Sequence, residues 1–351
     1  MKQNTPRVAL LTLLLVCVLG VLSFGGCTSN PNPPEPGALS AIPAHLPTLI
    51  VPSDNVMTPE KVELGRHLFY DKRMSRDGTI ACASCHRQEV AFSDGPNIVS
   101  TGVNDANGQR NAPTIVNAAY RRTQFWDGRA ASLEAQAMGA FTHPVEMFAD
   151  TVAVASYVRL TYTERWRQVF GDSAVTMKRA MQAIAAFERT IISANSRYDR
   201  YILGNTTALS TEEQHGMRLF FSDRTMCSSC HNGPDLTDDN YHNIGLFHHY
   251  FDRGRYNVTK DIDDEGLFRT PTLRNVALTP PYMATGDSED GVMQTLEQVM
   301  KHYNAGGTNF PNKDKRVRKL GLTEAEVAAV IAFMRALTDS SVITNSRFGP
   351  P

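Results

Sequence analysis

The chain reads as a mainly α protein built from two related halves, with few short strands. Three features carry that reading. A five-residue device occurs once in each half, as Cys82-Ala83-Ser84-Cys85-His86 and as Cys227-Ser228-Ser229-Cys230-His231. Each device has the same lead-in, Gly65-Arg66-His67-Leu68-Phe69 or Gly216-Met217-Arg218-Leu219-Phe220, followed by an aspartate (Asp71, Asp223). Helix punctuation is frequent, whereas alternating apolar and polar runs are scarce.

The helical elements follow in order. Thr58-Pro59 predicts a helix start, with proline at the first helical position. Met177, Met181, Ile184, Glu188 and Ile191 fall at helical spacing with a mostly apolar face, and the two methionines read as core. Ser210 to Glu213, Thr295 to Gln298 and Thr323 to Glu326 have the spacing of capping boxes. The last opens a helix with Val327, Val330, Ile331, Met334 and Leu337 on one side. Residues 232–275, rich in Asn, Asp, Gly and His, read as loop. Residues 340–351 read as a loose tail.

Composition narrows the function. With 42% hydrophobic and 20% charged residues, the chain has material for a full core and is neither disordered nor collagen-like. A net charge of −1 gives no global basic excess, so nucleic acid is not an expected partner. Six cysteines are too few for a disulfide scaffold of this length.

The N-terminus is an address. Lys2 and Arg7 precede an apolar run from Val8 to Leu22, which predicts a secretory signal over 1–26. Gly25-Gly26-Cys27 resembles a bacterial lipobox, although Phe24 departs from its usual leucine or valine. A lipid at Cys27 would then be the sole membrane contact, and Cys17 would be discarded. Residues 27–48, proline-rich over 28–38, predict a tether. The expected location is the periplasm.

The spacing of the two devices has a chemical reason. Two thiols two residues apart add to the vinyl groups of one haem, and the next histidine falls under the iron. Two covalently bound haem c groups are therefore expected, on Cys82, Cys85 and His86 and on Cys227, Cys230 and His231. A redox CxxC would need a strand-to-helix context, which is missing around Cys82. A Cys₄ zinc site is chemically open, but the pairs are too far apart for a zinc module.

Several further stretches resemble the bacterial dihaem cytochrome c peroxidase family, which includes MauG. They are Leu64 to Asp71, Arg110-Asn111-Ala112-Pro113-Thr114, Phe125-Trp126-Asp127-Gly128-Arg129, Pro144-Val145-Glu146-Met147 and Thr270 to Val276. The resemblance covers roughly residues 50 to 340. It implies two cytochrome c-like domains packed face to face, over 49–205 (peroxidatic haem) and 206–340 (electron-transfer haem), with 341–351 as a tail. It also implies His86 and His231 as iron ligands and Trp126 as a bridge between haems. Glu146 matches the distal acid–base and Gln136 the distal amide that positions peroxide. A calcium ion is implied at Asn111, by its side chain, and at the carbonyls of Thr279 and Pro281.

The sequence departs from the family in two places. The stretch Ser100 to Asn104 lacks the histidine that caps the first iron in many members, so an open first iron at rest is expected. On the second iron, Tyr303 falls on the MauG ligand position, with Met300 and Met283 as alternatives. The usual His-Asp-Gly after Met283 is replaced by Ala284-Thr285-Gly286-Asp287. His45, His67, His143, His215, His242, His248 and His249 read as surface or core hydrogen-bonding groups.

The implied activity is reduction of hydrogen peroxide to water. Electrons would pass from a small cytochrome c or copper protein through the C-terminal haem to the N-terminal one. One alternative is a MauG-like oxidase that modifies aromatic residues of a partner protein. Another is a dihaem electron carrier without peroxidase activity. A homodimer is compatible with each.

Overall fold

The computed structural model describes Met1, residues 42–284 and residues 291–351. The signal segment with Cys17, the lipid site Cys27, the proline-rich stretch and Thr285-Gly286-Asp287 lie outside the described residues.

The N-terminal core is held by helices α1 (Pro59–Tyr70), α3 (Leu133–Thr142), α4 (Thr151–Thr161), α5 (Thr163–Phe170) and α6 (Met177–Glu188). The single turn α2 (Cys82–Cys85) carries the first device. Caps start these helices where short polar side chains precede apolar faces. Thr58 accepts from the Lys61 amide, Ser132 from Ala135, Asp150 from Val152 and Ala153, and Thr176 from Arg179. Met177 and Met181 pack in the core as expected. Ile191 lies beyond the end of α6 and is nevertheless buried.

The C-terminal core repeats the plan with α7 (Arg197–Ile202), α8 (Thr211–Phe220), a loop-rich stretch with α9 (Tyr256–Thr259), α10 (Leu296–Ala305) and α11 (Glu324–Ala336). Complete capping boxes open α8, α10 and α11 at the predicted residues. Two antiparallel strands, β1 (Tyr241–His242) and β2 (Phe268–Arg269), form a two-stranded sheet. Among the described residues, no helix is long and apolar enough to cross a membrane.

The repeated glycine explains the repeated lead-in. Gly65 on α1 sits against the backbone of α6, and a Cβ there would collide with the Ala183 carbonyl oxygen. Gly216 on α8 meets the Ala329 carbonyl of α11 in the same way. In each half a glycine lets two helices touch backbone to backbone. The Leu-Phe three residues on then enters the core beside the device, as Leu68 with Phe69 and as the buried Phe220.

Within the C-terminal half, Arg274 pairs with Asp199 of α7 through two 2.9 Å contacts, both side chains being buried. Other polar groups stitch the two halves together. Arg110 grips Asp252 at 2.6 and 2.8 Å and Asp127 at 2.7 Å. Asn117 donates to Asp235 (2.8 Å) and to the Ser193 carbonyl, while the Ser193 hydroxyl donates to Asn275.

Three boundaries differ from expectation. Residues 341–351 are not a loose tail. Helix α12 (Ser340–Thr344) and the turn after it bury Val342 and Phe348 in the N-terminal core. Gln88 donates to the carbonyls of Val342 and Asn345, Arg66 to Gly349 and Tyr70 to Phe348. The expected tether reached residue 48, yet Leu46 is buried and His45 lies 3.2 Å from Asp199. Helix α7 precedes the expected boundary at 205 but packs on the C-terminal core through Tyr198 and Phe333.

Two predictions follow from this packing. Gly65→Ala and Gly216→Ala should each destabilise the holoprotein by about 1–3 kcal/mol, the range for overpacking. A lower denaturation midpoint checks this. Burial works to raise the Asp199 carboxyl, but Arg274 and Ser196 hold it below the ordinary carboxylate range. Its stabilising contribution is therefore complete above about pH 4 and is lost as pH falls through the depressed value. Asp199→Asn should make stability less steeply dependent on pH on the acid side, measured by melts between about pH 2 and pH 6.

Candidate haem sites and the cavity between them

Both devices place their histidine by the same backbone geometry. Cys82–Cys85 forms one helical turn and Cys227–Ser229 one tighter turn, so each imidazole follows directly after its pair of sulfurs. His86 Nδ1 lies 3.0 Å from the Phe92 carbonyl, and His231 Nδ1 lies 3.2 Å from the Leu236 carbonyl. The Pro113 and Pro271 carbonyls act on the same two imidazoles. A carbonyl acceptor fixes Nδ1 as the protonated nitrogen and leaves Nε2 as the free ligand atom. Burial pushes His86 down to about 4 and also lowers His231, so both rings are neutral, as ligation requires.

The four cysteines are free and half-buried. Burial pushes the Cys85 thiol up to about 12 and raises Cys82 and Cys227 as well. Such thiols are poor redox groups at neutral pH, which disfavours the thioredoxin-like reading. Cys230, Asp238 and His242 have ligand atoms close enough to hold a metal ion. Cys230 belongs to the second device, so this cluster is not a separate site.

A deep cavity, mostly apolar, joins the second device to the seam between halves. Cys227, Cys230 and His231 line it with Leu273, Leu296, Met300, Tyr303, Val330 and Met334. Trp126, Asn111, Arg121, Thr279, Pro281 and Met283 line it from the seam. The shape and lining suit a flat, apolar macrocycle. One orphaned group adds to the fit: Arg121 donates through Nη2 to the Thr114 and Val116 carbonyls, while its buried Nε lacks a partner. Burial pulls this guanidinium down to about 9. A carboxylate on a bound group would satisfy it.

Trp126 lies at the seam between the two halves. Its indole N–H donates to the Asn111 carbonyl (3.0 Å), and its own carbonyl accepts from the Arg269 amide (2.9 Å) of β2. The ring thus rests on one half and its backbone is pinned to the other. The Asn111 side-chain oxygen is buried without a partner, in a cavity that Thr279 and Pro281 also line. An unsatisfied buried oxygen fits a hard cation.

Glu146 lies in the turn that follows α3. Its amide donates to the His143 carbonyl (3.1 Å), and its carbonyl accepts from the Val103 amide (2.9 Å). Gly102 packs so closely on this turn that a Cβ would strike the Val145 and Glu146 carbonyls. The stretch where the family histidine is absent therefore holds Glu146 by its backbone. Burial pushes the Glu146 carboxyl up, against the opposing charges of His143 and Arg129. Gly102, which packs on this turn, lines a pocket together with Ser84 and Cys85 of the first device. Gln136 is half-buried on α3, and its side-chain amide makes no hydrogen bond among the described residues.

The three candidate ligands for the second iron share one cavity. Met300 is buried in the apolar cluster of α10 and α11. Met283 has a left-handed backbone (φ 56°) next to residues 285–290. The Tyr303 hydroxyl makes no hydrogen bond among the described residues and lies near Cys227 and Cys230.

Sequence reasoning missed Arg121 and the carbonyls that hold the imidazoles. A signal for the latter was present. Pro113-Thr114-Ile115-Val116-Asn117 and Pro271-Thr272-Leu273-Arg274-Asn275 are a second internal echo. Both asparagines take left-handed backbone, with φ 54° and 60°. Thr114 donates to the Ala91 carbonyl and Thr272 to the Asp235 carbonyl, so each echo closes the loop around its histidine.

Comparison with known proteins agrees with this geometry. A family model described as di-haem cytochrome c peroxidase matches residues 59–207, and a cytochrome c model matches residues 214–338. Cytochrome-c peroxidase IdrP1 of Denitromonas iodatirespirans is 38% identical, over 84% of this chain and 85% of its own length. The methylamine utilization protein MauG of Methylophilus methylotrophus is 33% identical over 92% and 94%. The crystal structure of a MauG-like protein associated with microbial copper homeostasis superposes with a TM-score of 0.83. It is 35% identical and covers 88% of this chain and 98% of its own. The two haem-binding domains imply two haem c groups, and the chain belongs to the di-haem cytochrome c peroxidase and MauG family of oxidoreductases.

Proposed function

We propose that this protein is an exported peroxidase that reduces hydrogen peroxide to water at its N-terminal haem, with electrons entering at the C-terminal haem from a small cytochrome c or copper protein. The carrying observation is Glu146, a carboxyl raised by burial and held by its backbone on Gly102 and Val103, beside the pocket that Cys85 of the first device lines. The haems supply the redox chemistry when bound. His86 and His231 would ligate the irons through Nε2, and the four cysteines would carry the thioether links.

Glu146 is suited to hold the proton that peroxide must move between its two oxygens, because its raised carboxyl exchanges protons nearer neutral pH. Gln136, with its amide unengaged, is suited to orient peroxide and to meet developing charge. Trp126 spans the seam between the two sites. Asn111, Thr279 and Pro281 would hold a calcium ion there, stiffening the seam that Arg110 already ties. These roles weigh against the pure electron carrier, which has no use for Glu146. Export to the periplasm rests on the signal segment and on the chemistry of haem c attachment.

A second reading, oxidation of aromatic residues on a partner protein, draws support from Tyr303. A phenol with a free hydroxyl in the second cavity is available as an iron ligand, and a tyrosinate lowers the iron potential relative to a thioether.

Two predictions test these readings. Glu146→Gln should retain both haems by pyridine haemochrome assay and lower peroxide turnover by about 10²–10⁴-fold, the range for general acid–base assistance. Tyr303→Phe should change the electron paramagnetic resonance signal of the second iron, whereas Met300→Leu and Met283→Leu should leave it in place. The reverse pattern would assign a methionine instead.

A further inference from the structure

Residues 313–319, Lys-Asp-Lys-Arg-Val-Arg-Lys, crowd five cationic side chains and one carboxylate into seven positions of a chain whose net charge is −1. The segment crosses the rim of the second cavity. Asp314, Arg316, Val317 and Arg318 line that cavity, and Arg318 is also exposed. Its placement is fixed at several points. Arg316 Nη1 donates to the Ser229 carbonyl (2.8 Å), within the second haem device itself. Arg318 donates to the Asp223 carbonyl (3.2 Å), and the Leu320 amide donates to the Asn304 carbonyl (3.2 Å).

The positive charge of this strap is not cancelled locally. Its one carboxylate, Asp314, is taken by Arg316 at 2.6 and 2.9 Å and by His242 at 2.9 Å. Lys313 is spent on the Gly306 carbonyl (2.8 Å), a neutral acceptor that leaves its charge in place. Lys315 and Lys319 are exposed and make no ion pair among the described residues. Next to the strap, Arg224 reaches the Gly321 carbonyl and pairs with Glu326.

We propose that this strap is the docking face for an electron-donor protein whose own redox centre is rimmed by acidic side chains. The proposal rests on the peroxidase reading and adds the charge of the partner. The position of the strap selects this occupant. An anionic membrane would be held by basic charge anywhere on the surface, whereas charge anchored on the haem device serves a molecule that must bring a redox centre there. Complementary charge steers such an encounter and fixes its orientation, with modest effect on lifetime. Each encounter passes one electron. Two donor molecules are oxidised for each hydrogen peroxide, which takes up two protons and leaves as two waters.

The test compares one small cytochrome c in two forms with the full holoprotein: native with a basic face, and with its lysines succinylated to make that face acidic. Association is measured by surface plasmon resonance and electron delivery by stopped flow. The acidic form should associate at least tenfold faster at about 0.01 M ionic strength. Most of that advantage should vanish by about 0.15 M, as the screening length falls from about 30 to about 8 Å. Lys315→Glu with Lys319→Glu should remove the preference, while the reaction of the fully reduced enzyme with peroxide keeps its rate. Equal or faster association of the basic form, or a preference untouched by the double variant, would overturn the proposal. So would pelleting of the holoprotein with phosphatidylglycerol vesicles that the acidic cytochrome fails to compete away. Salt-sensitive preference for the acidic form without peroxide turnover would leave the docking face standing and remove the peroxidase reading instead.

Discussion

Each half of the protein is organised around a backbone carbonyl that claims one nitrogen of a half-buried imidazole. Phe92 does this for His86 and Leu236 for His231. A buried histidine without such an acceptor would be free to flip or change tautomer, and the nitrogen facing the cavity would be undefined. The surrounding structure can be understood as what holds those two carbonyls in place. The Pro-Thr-x-x-Asn loops close over them, and the glycine-mediated helix crossings set the floor on which the devices rest.

The two halves use the same construction to different ends. Beside the first device a carboxyl is held by its main chain, with Gly102 and Val103 gripping the turn that carries it. Around the second, the corresponding space is lined by a phenol, methionines and aliphatic groups, while charge is concentrated outside. The two sides thus differ in the groups they present. Trp126 and the Arg110 ion pairs occupy the junction.

Much of this plan was legible in the residues because its signals are local. Ser210, Thr295 and Thr323 each cap a helix through a partner three positions on, and that partner is visible without any tertiary knowledge. The devices and their glycine lead-ins are likewise short. What escaped depends on distance. Asp199 and Arg274 find each other across 75 residues of chain, and nothing near either residue announces the pair. Val342, Ile343 and Phe348 are three apolar residues in a short polar stretch, too few to give a period, so their docking was unreadable. The acceptors for His86 and His231 are main-chain atoms and leave a trace only through the repeated Pro-Thr-x-x-Asn pattern. The basic strap was in plain view but was averaged away by a near-neutral total.

The docking of residues 341–351 on Arg66, Tyr70 and Gln88 reverses the order in which the halves are made and finished. The N-terminal core begins to form first during synthesis. It is nevertheless closed by Phe348, which packs on Phe92, the residue whose carbonyl orients His86. Losing that last stretch would therefore uncover Phe92 and unlatch the loop that carries the first device.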